Sequence, residues 1–213
     1  MSNTHLLKAV AVVATGTLLS ACVSVLPETA APAPRYAISA GTAPSAPIAP
    51  VSWSLVVADP TTSQLFNTVK VPVTTAENRF EFLVGAEWAD RVPVLFHRAL
   101  VRTFENTGAV TNVGDFTTVP IGDYTLRTDI RAFHGDLTGT PTASVDIFTR
   151  LVDGNGRILK TRMFTARETA LGAAPDQLMP AFDRALDRLL GEITVWTFER
   201  VSLPLEASEA PIL

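Results

Sequence analysis

An α+β (α/β) fold is what residues 52–198 predict: one domain, with an antiparallel-rich mixed sheet and two amphipathic helices packed on one of its faces. Three features carry that expectation. The segments "DYTLRTDIRAF", "ASVDIFTRLV" and "RILKTRMFTARE" alternate apolar and polar residues, as strands with one dry and one wet face do. Residues 88–108 and 175–196 space their apolar side chains three and four apart, the period of a helix buried along one side. A composition of 47% apolar and 18% charged residues in 213 supplies enough material for one sizeable core.

Residues 1–21 read as a lipoprotein signal peptide. "MSNTHLLK" ends in a single lysine, and the uncharged run "AVAVVATGTL" is shorter than the roughly 20 apolar residues a membrane-spanning helix needs. Leu19, Ser20 and Ala21 then precede Cys22 in the leucine, small, small, cysteine order of a bacterial lipobox. Small residues let a signal peptidase reach an extended backbone, and the thiol is the nucleophile that accepts the diacylglycerol. The expectation is lipid attachment at Cys22, with two or more acyl chains holding the protein on a membrane. Val23, where an aspartate would retain the protein in the inner membrane, favours the periplasmic face of the outer membrane. With one cysteine there is no internal disulfide and no cysteine-based metal cage. Residues 22–51 are rich in Pro, Ala, Ser and Thr, interrupted by "RYAIS", and read as a mobile tether that buries too little surface to offset its ordering entropy. The end of the chain, 199–213, reads as a flexible tail.

Within the domain, "WSLVVADP" is the first strand, closed by a proline turn, and "NTVKVPV" and "RFEFLV" are the next two, the latter with Phe80 and Phe82 on one face. Trp88, Val92, Leu95, Phe96, Ala99, Leu100 and Phe104 then recur at helical spacing, with Asp90 placed to cap, Pro93 in the first turn and Gly108 as the stop. Arg91, Arg98, Arg102 and Glu105 fall on the polar side of this helix together with Val94 and Val101, which makes that side a candidate partner surface. A short strand, "AVTNVGD", leads to the three long alternating strands, the last two joined by a hairpin turn at "DGNG". That turn lacks the later acidic ligands of a calcium loop. The second helix starts near Pro175 and buries Leu178, Phe182, Ala185, Leu186, Leu189, Ile193 and Trp196, with Pro180 in or near its first turn.

Catalytic signatures are missing. His5, His97 and His134 share no ligand spacing, and there is no G-x-S-x-G elbow, H-E-x-x-H motif or glycine-rich phosphate loop, so no catalytic residue, metal or cofactor is assigned. A formal charge of -4 without a basic block gives no reason to expect nucleic acid.

Taken together, "YAI", "RFEFLVGAEWADRVPVLFHRALVRTFENTGAV", "DYTLRTDIRAFHGD", "ARETA" and "AFDRALDRLLGEITVW" resemble the ABC-type transport auxiliary lipoprotein family over residues 36–197. The most specific elements are Trp88, Ala89 and Pro93 opening the first helix, Tyr124 and Leu126 opening the long strand, Phe133 closing it, and the helix ending at Trp196. The long Pro-Ala insertion between "RYAIS" and "WSLVV" departs from the family pattern. The resemblance implies a non-enzymatic partner of an MCE-type ABC system that moves lipids or other hydrophobic molecules between membranes. It implies docking on an MCE-domain protein and leaves room for a homo-oligomer. Two other readings stay open: an envelope assembly or structural lipoprotein without a transporter, and a periplasmic enzyme whose carboxylate pair is assembled by folding.

Overall fold

Strand β7 (Tyr124–Asp136) organises the sheet because it is long enough to pair with three successive short strands along one edge. A computed structural model describes residues 32–42 and 47–202, so the expectations for Leu19, Ser20, Ala21, Cys22 and the tail beyond residue 202 lie outside the described residues. β2 (Leu55–Val57), β3 (Thr61–Thr62) and β4 (Lys70–Ala76) each run parallel to β7, meeting it at Tyr124–Leu126, Asp129–Ile130 and Gly135–Asp136. Pro60 and the turn in which Phe66 N–H donates to the Ser63 carbonyl (3.1 Å) separate the three pieces. On its other edge β7 pairs antiparallel with β8 (Thr142–Asp153), which pairs with β9 (Ile158–Thr169). β5 (Arg79–Trp88) hairpins antiparallel onto β4, β1 (Arg35–Tyr36) runs parallel to β5, and β6 (Val113–Gly114) runs parallel to β2. The result is the expected mixed sheet with its longest ladders antiparallel.

Both helices of the described residues lie on one face of it. Helix α1 (Val92–Asn106) buries Val92, Leu95, Phe96, Ala99, Leu100 and Phe104, the side the spacing predicts. Its start differs from the sequence reading. Trp88 closes β5, its N–H donating to the Val69 carbonyl (2.6 Å), and the Ala89 N–H donates to Tyr36 (2.7 Å), so sheet pairing holds both outside the helix. Asp90 does not cap α1 either. Arg91 is the N-cap and makes no side-chain cap bond, while Asp90 accepts from the Arg91 N–H (2.8 Å) and lies 3.5 Å from Arg98. Pro93 spares one of the unpaired N–H groups of the first turn. At the other end Gly108 takes φ 62°, a left-handed turn that glycine adopts without strain, and its N–H closes on the Glu105 carbonyl (3.0 Å).

Helix α2 (Pro175–Ser202) is buried on two sides. Phe182, Leu186, Leu189, Ile193 and Trp196 are buried as the sequence predicts, but so are Leu190, Thr194 and Thr197. Thr194 and Thr197 donate their hydroxyls to the carbonyls four residues back (2.9 and 2.8 Å), which makes their burial tolerable. Pro180 sits inside the helix and withholds the N–H that would bond the Asp176 carbonyl.

The second buried side of α2 is explained by a segment assigned above to the tether. Residues 35–42 form β1 and then cross the two helices as a strap. Ile38 joins the core at 8% exposure, the Gly41 N–H donates to Thr103 Oγ1 (2.8 Å), and the Thr42 N–H and hydroxyl both donate to Asp187 Oδ1 (2.6 and 2.7 Å). An ideal Cβ on Gly41 would lie 2.9 Å from Leu190 Cβ, so only glycine lets the backbone pass this close. Val51 then donates to the Ala109 carbonyl (2.8 Å) beside β6. The folded unit therefore begins near Ala33 rather than at residue 52. The core contacts that hold the strap come from α1 and α2, which a composition count along the strap itself does not contain.

Between sheet and helices, Trp88, Phe133 and Phe182 pack with ring centroids 5.4–5.5 Å apart, two pairs edge-on and one stacked. Phe164 meets Trp196 edge-on at 5.7 Å further along α2. Each such pair adds about 0.5–1.5 kcal/mol beyond area burial.

Candidate functional site

The polar side of α1 faces the outer end of β2, β3 and the loop after β6, and its side chains line two shallow grooves. Val94 and Val101 are both half-buried and sit seven residues apart, two helical turns on one stripe. Val94 lines a groove of about 430 Å³ with Asp59, Pro60, Thr61, Thr62, Asn67 and Arg91. Val101 lines a second, of about 240 Å³, with His97, Arg98, Glu105, Gly114, Asp115 and Thr118. His97 stands between them and fixes the helix to the sheet through a 2.9 Å contact from Nε2 to the Val57 carbonyl.

Electrostatics in the second groove are set by Asp115. The backbone N–H of Thr118 (2.8 Å), its hydroxyl and the N–H of Thr117 (3.0 Å) hold the Asp115 carboxyl below the usual range, with His97 adding to the effect. The groove thus carries a fixed anion, Asp115, together with Arg98, whose guanidinium also lies 3.5 Å from Asp90, and the half-buried Val101. Such an arrangement suits an extended polar segment with an apolar side chain. Among the described residues no three His, Cys, Asp or Glu side chains converge on a possible metal position. Among the same residues no helix is long and apolar enough to cross a membrane.

The remaining residues singled out from sequence fall in the core. Trp88 and Phe133 meet directly, Leu126 is fully buried, and Tyr124 packs edge-on against Trp53 at 5.7 Å. Trp196 is buried yet also borders a groove of about 340 Å³ with Arg162, Gly191, Glu192, Val195 and Glu199. Trp88 likewise borders a cleft of about 260 Å³ beneath Tyr36. Sequence reasoning missed the strap and one surface cluster: Arg127 and Arg150 stand directly opposite each other across β7 and β8. Alternation placed both on a wet face, but their pairing depends on register, which the alternation alone leaves open.

Comparison with known proteins agrees with this architecture. A crystal structure of a protein from Xanthomonas campestris superposes with a TM-score of 0.73 at 25% identity, covering 79% of this chain and 96% of that one. A crystal structure of an uncharacterised protein shares the fold at a TM-score of 0.59 and 16% identity, over 76% of this chain and 99% of the other. An uncharacterised protein of Bradyrhizobium diazoefficiens is 29% identical over 150 residues, 69% of this chain and 40% of that protein, so the chain spans well under half of this relative. Residues 36–194, which run from β1 through most of α2, match the model of the ABC-type transport auxiliary lipoprotein component, and the chain belongs to that family.

Proposed function

We propose that this chain is a lipid-anchored, non-catalytic auxiliary component of an MCE-type ABC system that moves lipids or other hydrophobic molecules between membranes, working from the periplasmic face of the outer membrane. The observation that carries the reading is the family match over residues 36–194. Cys22 supplies the anchor, after cleavage directed by Leu19, Ser20 and Ala21. The Val94 and Val101 grooves on α1 receive the MCE-domain partner, because they combine half-buried apolar side chains with fixed charges of both signs at the rim.

Affinity capture of a tagged chain after crosslinking in membranes should recover an MCE-domain protein. Recovery of none from the wild type would sink the reading. The V94D/V101D variant should lose the partner while keeping its membrane fractionation and melting temperature. Cys22→Ala, or growth with the lipoprotein signal-peptidase inhibitor globomycin, should block maturation. A Cys22→Ala chain still labelled by fatty acid would refute the assigned attachment point.

A further inference from the structure

The face of β7–β9 turned away from the helices carries an unneutralised pair of arginines. Arg127 and Arg150 are direct cross-strand partners, and like charges in that position repel at Cβ separations of about 4.5–5.5 Å. Neither lies within ion-pair distance of a carboxylate among the described residues. Two arginines on the face are matched, Arg131 with Asp129 at 3.2 Å and Arg167 with Asp146 at 2.7 Å, while Asp136 at the far end of β7 accepts from the Thr138 and Thr74 hydroxyls (2.7 and 3.2 Å). The Phe148 ring is flanked by the Arg131 and Arg150 guanidiniums at 4.2 and 4.5 Å, and Met163, its partner on β9, is 40% exposed. A guanidinium lying over a ring keeps its N–H fork free for phosphate or carboxylate oxygens.

We propose that this face, centred on Arg127, Arg150 and Phe148, is a contact surface for the phosphate headgroups of an anionic lipid bilayer. Charge complementarity argues for it. The chain as a whole carries -4, so an anionic surface repels most of the domain and favours a face where two adjacent positive charges stand uncompensated. The strands present the arginines on one face with Phe148 and Met163 beside them, so that charged and apolar side chains reach the same surface together, as at a bilayer interface. The location rests on the lipid-anchor reading: residues 23–32 separate Cys22 from the folded unit, and at about 3.3–3.6 Å per residue they keep the domain within roughly 40 Å of the bilayer. At that range a weak contact is effectively intramolecular.

The test uses residues 23–213, which keep every core residue named above and lack the acyl chains, so the face is read without the anchor. Sedimentation with vesicles of phosphatidylethanolamine and phosphatidylglycerol (7:3) at low salt should pellet this chain, and pure phosphatidylcholine vesicles should not. R127Q/R150Q should weaken partitioning by roughly 10- to 30-fold, in line with the contribution of each arginine near an anionic surface, and 0.3 M salt should do the same to the parent. Unchanged circular dichroism and melting temperature would show that the variant still folds. Equal sedimentation of parent and R127Q/R150Q, or no sedimentation of the parent with the anionic vesicles, would overturn the proposal. Retention on immobilised polyglutamate with no vesicle binding would overturn it in favour of an acidic protein. V94D/V101D should sediment like the parent, which separates this surface from the one proposed for the MCE-domain protein.

Discussion

Strand β8 carries two environments one residue apart. Ile147 is fully buried under the helices, whereas Phe148, larger and equally apolar, stands on the opposite face between two guanidiniums. Phe133 and Phe148 make the same contrast on neighbouring strands: one is locked between Trp88 and Phe182, the other packs on charged side chains that water can replace. The difference teaches that coverage, and not residue type, sets what an aromatic side chain contributes. A covered face stores stability, and an open face of similar composition is available for contact.

The strongest way to break that comparison is Phe133→Ala, which should cost about 3–5 kcal/mol in urea unfolding by opening a cavity in a fully buried cluster. Phe148→Ala should cost less than about 1 kcal/mol. Equal losses would mean that the outer face is as structural as the inner one. Next in size is Gly41→Ala. A Cβ there meets Leu190 Cβ at 2.9 Å and the Asp187 carbonyl at 3.2 Å, so overpacking should cost about 1–3 kcal/mol and free the strap to hydrogen exchange. Gly139→Ala, with nothing within 4 Å, should change little.

A third prediction concerns His134, which sits on the outer face where Phe66 and Phe80 cover it, at ring distances of 6.3 and 5.2 Å. Burial lowers its pKa below the usual 6.5; the charges of Asp136 and Asp146 oppose that shift and Arg167 reinforces it. The folded state therefore binds the proton less readily than the unfolded chain. Its contribution to stability is complete above about pH 6.5 and is lost as pH falls through the depressed folded value. Urea midpoints at pH 7.5 and 5.5 should fall toward acid, and His134→Phe should flatten the slope. Asp115, Asp123, Asp136 and Asp153 are held low by hydrogen bonds, so their loss belongs to a more acidic range. The smallest effect is Arg127→Thr, since Arg150 also stacks on Phe148 at 4.5 Å. Removing one of two like charges directly opposed across β7 and β8 should stabilise by about 0.2–1 kcal/mol at low salt, and the gain should shrink as salt is added.

Much of the fold was legible because its signals are local. The alternation in β7 and β8 marked Leu126, Ile130, Val145, Ile147 and Leu151 as one family of positions, and all are buried. The spacing in α1 and α2 named their core stripes for the same reason: a side chain's direction follows from the period of its own element. The misread details are those where a neighbour intervened. Trp88 continues the apolar stripe of α1 by spacing, yet its N–H is taken by Val69 in the sheet. Asp90 has the chemistry of a cap, yet Arg98, about two turns on, draws its carboxylate to 3.5 Å. Of the candidate partner surface, the sequence could name Val94 and Val101 but not the groove walls, because Asp59 and Thr118 come from distant segments.

By itself, then, the sequence determined which residues are dry, where the helices run and where the family pattern lies, since each follows from short-range periodicity or a contiguous motif. Only the tertiary structure decided that residues 35–42 fold back as a strap, because Gly41 fits solely against Thr103 and Leu190, 62 and 149 positions away. It alone set Arg127 against Arg150, because register joins two strands through the contacts of both, and alternation within either one leaves the partner unspecified.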